Sequence, residues 1–160
     1  MAFEYFLRID GIPGESTDKK HAGEIAVESF AWGESNPGPH GAGGGGGAGK
    51  VQMQGLHVTA RTSKAGPQLL LACAAGTHLK SAVLSARRAG SKQPGDFLTF
   101  SLSDVLVSDY QIGGTEAEPP RDAVSLIFAK IEIEYKVQKA DGSFGESSKA
   151  GWDVTKNTKV

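Results

Sequence analysis

Seven glycines occupy the nine positions from Gly41 to Gly49, and Lys50 follows them directly. Gly44 to Lys50 fits the G-x-x-x-x-G-K core of a phosphate-binding loop, in which backbone amides and a lysine cradle phosphate oxygens. Val51 breaks the match. That loop needs a Ser or Thr hydroxyl at this position for magnesium, and then a helix whose N-terminal amides face the phosphates. Here the residues after Lys50 read as a strand. The run also contains G-x-G-x-x-G, but so dense a tract matches many glycine patterns by chance. Two readings of it stay open: a flexible loop with no side chains to pack, or a segment that orders only against a neighbouring subunit, at an entropic cost.

The other reactive side chains form no constellation. His21, His40, His57 and His78 are scattered, with no pair at metal-ligand spacing and no H-E-x-x-H. No G-x-S-x-G elbow is present to carry a nucleophilic serine. Cys73 is the only cysteine, which rules out an intramolecular disulfide and a thiolate-rich metal site and fits a reducing compartment. Its apolar surroundings read as core. Glu132 and Glu134 alternate with Lys130 and Lys136 on one strand face, a solvated or intersubunit stripe. The expectation is therefore no enzyme, no cofactor and no metal.

Charge and hydropathy narrow the classes further. With 17 basic and 18 acidic residues in 160, no broad field draws nucleic acid or anionic lipid. The longest apolar run, Leu69 to Ala75, is far short of the ~20 residues that span a bilayer. The N-terminus, Met1-Ala-Phe-Glu-Tyr-Phe-Leu-Arg8, has an acidic residue at position 4 and lacks the apolar core of a secretory signal.

The elements that must position these residues are almost all strands. Phe3, Tyr5, Leu7 and Ile9 share a face until Asp10-Gly-Ile-Pro-Gly14 turns the chain. Ile25 and Val27 then give way to Phe30 and Trp32 on the opposite parity, as an extra residue near Glu28 or Ser29 produces. A third, bent strand runs through Val51, Met53, Leu56 and Val58 with Gly55 at the bend. Ala82–Ala86 and Phe97–Leu102 form a hairpin, and a separate shorter strand covers Val105–Ile112. Val124, Leu126 and Phe128 lead into Ile131, Ile133, Tyr135 and Val137 on the other parity. Trp152 and Val154 mark a closing strand. A single helix spans about residues 67–76, with Pro67 in its first turn, Gly76 as cap, and Leu70, Cys73 and Ala74 as its packing face. Repeated phase switches curve a sheet, so the expected fold is mainly β: a single domain over 1–160, a small two-sheet β-barrel or sandwich with one lateral α-helix.

Several segments in order resemble one family. Ile9-Asp-Gly-Ile-Pro-Gly-Glu-Ser16, His21-Ala-Gly-Glu-Ile25, the Trp32-Gly33 strand, Gly43 to Lys50, Pro67 to His78, Ala86-Arg-Arg-Ala-Gly90 and Lys139-Ala-Asp-Gly142 are similar to the hemolysin-coregulated (Hcp) proteins of type VI secretion. The resemblance implies a homohexameric ring that stacks into a hollow tube, driven by a sheath and associated with a spike protein. It also implies subunits that are cytoplasmic before assembly and released without a signal peptide, with effector proteins carried in the lumen. Relatives with toxic C-terminal domains exist, but the chain stops at Val160, soon after its last strand. Gly41, Gly43, Gly45, Gly49 and Lys50 become the expected ring-stacking loop. Phe30 and Trp32 turned to the core would send Ser29, Ala31 and Gly33 toward the lumen. The competing reading is a monomeric barrel holding a small apolar ligand in its interior; a hydrolase ranks last.

Overall fold

A computed structural model describes residues 2–38, 50–90 and 95–160. Its elements in chain order are β1 (Phe3–Ile9), β2 (Ile25–Ala31), β3 (Glu34–Ser35), β4 (Gln52–Met53), β5 (Leu56–Arg61) and α1 (Ala65–Ala75). There follow β6 (Leu79–Arg88), β7 (Asp96–Gly113), β8 (Arg121–Gln138), β9 (Phe144–Asp153) and β10 (Thr158–Lys159). Strands β8, β5, β2, β1, β6 and β7 pair in that order, and β7 pairs with β8 again, so the antiparallel sheet closes on itself. β9 and β10 extend it from the second half of β8, and β3 with β4 forms a separate two-stranded sheet.

The two-residue period of the sequence decides what fills this barrel. Leu7 and Ile9 of β1, Leu56 and Val58 of β5, Leu84 of β6, Leu102 and Val105 of β7 and Leu126 of β8 are all buried in one core. In β2 the register against β5 shifts between Val27 and Ser29, so Glu28 is the extra residue that the phase change predicts. Beyond it Phe30 meets Tyr5 and Phe100 edge-on, with ring centroids 5.0 and 5.7 Å apart, and Trp32 closes on Phe100 at 6.2 Å.

β8 holds the seam together. Its first half pairs with β5, its second half with β9, and its length from Arg121 to Tyr135 with β7. The parity change between Phe128 and Ile131 is present, and β7 makes the same change between Leu102 and Val105. The pairs Ser103–Lys130 and Val105–Phe128 stay in register across it. Both strands therefore turn over together at Asp104, whose φ of 52° lies in the left-handed region. This corrects the expectation of two strands at 97–102 and 105–112: β7 is continuous, and the polar break is a twist within it.

Three further expectations are corrected. The bent third strand is two strands, because at Gly55 the backbone comes so close to β8 that a Cβ would lie 2.9 Å from the Leu126 carbonyl oxygen. The closing strand begins at Phe144 rather than near Trp152; most of it is exposed, so no alternation announces it. The helix starts at Ala65 and buries Ala65, Gly66, Leu69 and Ala72, whereas Leu70 is 58% exposed and Ala74 is also outside. Three consecutive leucines carry no phase; the small residues do, by letting the helix approach β7 until Gly66 faces the Tyr110 hydroxyl. Cys73 is half-buried and packs against the core. Gly76, with φ 61°, caps the helix as expected, its N–H reaching the Ala72 and Cys73 carbonyls.

Leu126 has no exposed surface and sits where β8 meets both Leu56 of β5 and Val107 of β7. Leu126→Ala should cost about 2–5 kcal/mol of unfolding free energy in urea titrations, since a closed sheet collapses poorly onto a cavity. A loss below about 1 kcal/mol would show that the seam repacks.

Candidate functional site

Two polar constellations stand out, one on the outer wall of the barrel and one against its end. On the wall, antiparallel pairing places Ala31 of β2 opposite His57 of β5, His57 opposite Ser125 of β8, and Ser125 opposite Asp109 of β7. Directly opposed residues share a face, so the four form one outward row. His57 Nδ1 lies 2.5 Å from the Ser125 hydroxyl. In the next row Ser29 and Thr59 bond through their hydroxyls at 2.5 Å, and Ala123 and Gln111 continue it. Asp109 points outward because the register of β7 against β8 shifts between Val107 and Asp109, making Ser108 the extra residue. Without that bulge Asp109 would share the inward face of Val107.

Ser29 and Ala31 are thus exposed side by side on this wall, while Gly33 is half-buried between β2 and β3 and accepts the Gln54 N–H at 2.9 Å. Gly41, Gly43, Gly45 and Gly49 lie outside the described residues, and Lys50 is exposed just ahead of β4. The His57–Ser125 pair escaped the sequence reading, since residues 68 positions apart meet only through strand pairing. It resembles a nucleophile and base, but the order in the row is wrong for one. Asp109 flanks the serine rather than the second ring nitrogen, and the amides of β5 serve its ladders to β2 and β8 instead of forming an oxyanion hole. The wall offers hydrogen bonds to something laid against it.

The second constellation is buried. His21, only 6% exposed, stacks on Phe6 with centroids 4.4 Å apart and planes 7° from parallel. Its Nδ1 is 2.9 Å from Glu24 Oε2 and its Nε2 2.9 Å from Asp96 Oδ1. The Arg87 guanidinium lies 5.0 Å from the Phe6 ring, donates to Glu4 at 3.0 Å, and grips both oxygens of Asp18, the Nη1 bond measuring 2.9 Å. Asp18 also accepts the backbone N–H groups of Lys20 and His21. Arg87 is the largest cause that holds the Asp18 carboxyl down at about 2, and Asp18 in turn raises Arg87. Phe6, on the opposite face of β1 from Leu7 and Ile9, is buried beneath this network. Among the described residues no three His, Cys, Asp or Glu side chains converge as metal ligands.

Comparison with known proteins now decides the family. The model for "Type VI secretion system effector, Hcp" matches residues 6–135. The chain belongs to the Hcp family. It is 41% identical over 162 aligned positions to Protein hcp1 of Pseudomonas aeruginosa, with all of both chains covered. The solved structure of Hcp1 from Salmonella typhimurium superposes with a TM-score of 0.81 at 31% identity over the full length of both chains. A type VI secretion system effector from Yersinia pestis superposes at 0.77, with 27% identity over 94% of this chain and 99% of that one.

In this Hcp chain the segment His21-Ala-Gly-Glu-Ile25 supplies both His21 and Glu24 to the buried network, so its histidine and acid do structural work three residues apart. The network pins the long β1–β2 connection to the barrel, aided by backbone bonds from Gly14 to Gly23 and from Gly23 to Ser16. Among the described residues two apolar patches stay exposed: one joins Leu70 of α1 to Ile112 of β7, and the other links Phe3 through Phe97 to Tyr135 near the opposite end of β8, with Val137 beyond it. No helix among the described residues is long and apolar enough to cross a membrane.

Asp18 ionises more readily folded than unfolded, so its contribution to stability is complete above its ordinary 3.8 and disappears as pH falls toward 2. Asp18→Asn should flatten the fall in melting temperature across that window relative to the parent protein. Parallel acid limbs in the two melting series would assign the effect to another carboxylate.

Proposed function

We propose that this Hcp protein is the tube subunit of a type VI secretion machine, assembling as six-membered rings that stack around an open channel and leave the cell with their cargo. The observation that carries the reading is the filled barrel. Leu84, Leu102, Val105 and Leu126, each no more than 1% exposed, occupy the space where a lipocalin-like protein would hold its ligand. A conduit can then lie only between copies of the chain. The outer wall of β2, β5 and β8 suits its lining, because Ser29, Ala31, Thr59, Ala123 and Ser125 are small and already hydrogen-bonded within the sheet.

A closed ring needs a heterologous contact, two unlike patches that meet and leave none free. The uncovered helix patch and the uncovered patch of Phe3, Tyr135 and Val137 provide unlike surfaces on one subunit. Ring stacking is the second contact, for which the Gly41, Gly43, Gly45, Gly49 and Lys50 loop is the candidate, since glycine backbone lets another chain approach closely. The sheath, the spike and the effectors are the further partners of this reading.

Negative-stain electron microscopy of the purified protein should show annular particles with an open centre; compact monomers at high concentration would overturn the proposal. In rings, Ala31→Arg should abolish cargo retention while native mass stays hexameric, and undiminished retention would remove Ala31 from the lumen. Replacing residues 41–49 by a short turn should leave rings on size exclusion and eliminate tubes. Tubes that persist would show that stacking uses another surface.

A further inference from the structure

We propose that the outward row Ala31, His57, Ser125 and Asp109 is a cation-selecting site for protein cargo, with Asp109 as anchor and His57 as a switch that weakens the grip in acid. The proposal rests on the ring reading for its location and goes beyond it in naming the chemistry of the partner: a segment rich in lysine or arginine.

The charges on the wall support that partner. Asp109 is exposed, its carboxylate accepts from the Gln111 amide at 3.2 Å, and no cationic side chain among the described residues pairs with it. Around His57, the groups on β2 are Ser29 and Ala31, with Glu28 beyond them bound to Arg121 at 2.9 Å. On β8 they are Ala123 and Ser125, and Arg121 is further engaged by Glu118 at 2.6 Å. On β5 itself stand Thr59 and, four residues beyond His57, Arg61. The carboxylates Glu28 and Glu118 thus balance Arg121 and its cross-strand neighbour Arg61, and the row itself is left with Asp109. Ile127, on the same face as Ser125 and 44% exposed, gives the aliphatic stem of a lysine or arginine an apolar rest.

His57 sits across Ser125 from Asp109, two strand spacings away, or about 10 Å. A cationic side chain resting over Ser125 lies one strand spacing, about 5 Å, from each, inside the ~8 Å Debye length at physiological salt, so both charges act on it. Neutral His57 leaves the row at −1. Protonated His57 brings it to zero and places a like charge beside a cationic ligand, so affinity falls as pH falls. In a ring the row repeats on every subunit, and contacts weak singly become strong together.

Fluorescence anisotropy with a labelled decapeptide of alternating Lys and Ser, and its Glu counterpart, tests this at fixed ionic strength. The Lys peptide should bind the assembled protein at pH 8 and weaken roughly tenfold by pH 5.5. Asp109→Asn should lose that binding at pH 8, whereas His57→Gln should bind at both values. Unchanged binding by Asp109→Asn, an intact acid loss in His57→Gln, or tighter binding of the Glu peptide would each overturn the proposal. Native mass spectra of every variant separate the two levels. Hexamers with no dependence on Asp109 sink the site alone; monomers that still show the Asp109 and His57 effects sink the ring reading and leave the charge row standing.

Discussion

A closed antiparallel sheet allows each residue one of two destinations, and a single extra residue exchanges them for everything downstream. The whole architecture depends on where those exchanges occur. Glu28 makes one in β2, Ser108 makes one in β7, and the left-handed Asp104 turns β7 and β8 over as a pair. Each keeps apolar side chains inside the barrel while the strand bends around it. Each also decides what reaches the outer wall: Ser29 and Ala31 after the first, Asp109 after the second. Core packing and surface chemistry are two consequences of one set of bulges.

That linkage explains what was legible in the amino-acid sequence. The phase slip from Val27 to Phe30 and the reversal from Phe128 to Ile131 are visible as breaks in an apolar alternation, because burial writes itself into residue type. The Gly76 cap was legible for a local steric reason. β9 was not, since its Gly145 to Ala150 stretch is held by the ladder to β8 and is exposed. The helix face was hidden inside a run of leucines. His57–Ser125 and Arg87–Asp18 join residues 68 and 69 positions apart, which no local pattern encodes.

The polar network at the barrel's end does a job that apolar packing cannot. The long β1–β2 connection has few large apolar residues to bury, so Asp18 and His21 tie it down through directional bonds to Arg87 and Asp96. Stacking His21 on Phe6 covers an outward-facing aromatic of β1 and gives the imidazole a second support besides its carboxylates. A buried cation with two acidic partners is costly to break one side at a time, so the loop adopts one conformation. In an assembly of identical copies a rigid connection is useful, because each subunit must present the same surface as the last.

The filled interior and the bare outer wall then lead to the same requirement. A barrel packed with leucine and valine has no room for a ligand, and large apolar side chains stay exposed on its helix and rim. Covering unlike patches with further copies converts an apolar liability into a directional contact. In the ring proposed above, repetition around an axis would turn one carboxylate per subunit into a band of charge facing a shared space, where its field adds rather than disperses. Under that proposed geometry a small charge on each chain would suffice, so a near-neutral composition does not conflict with a charged cargo.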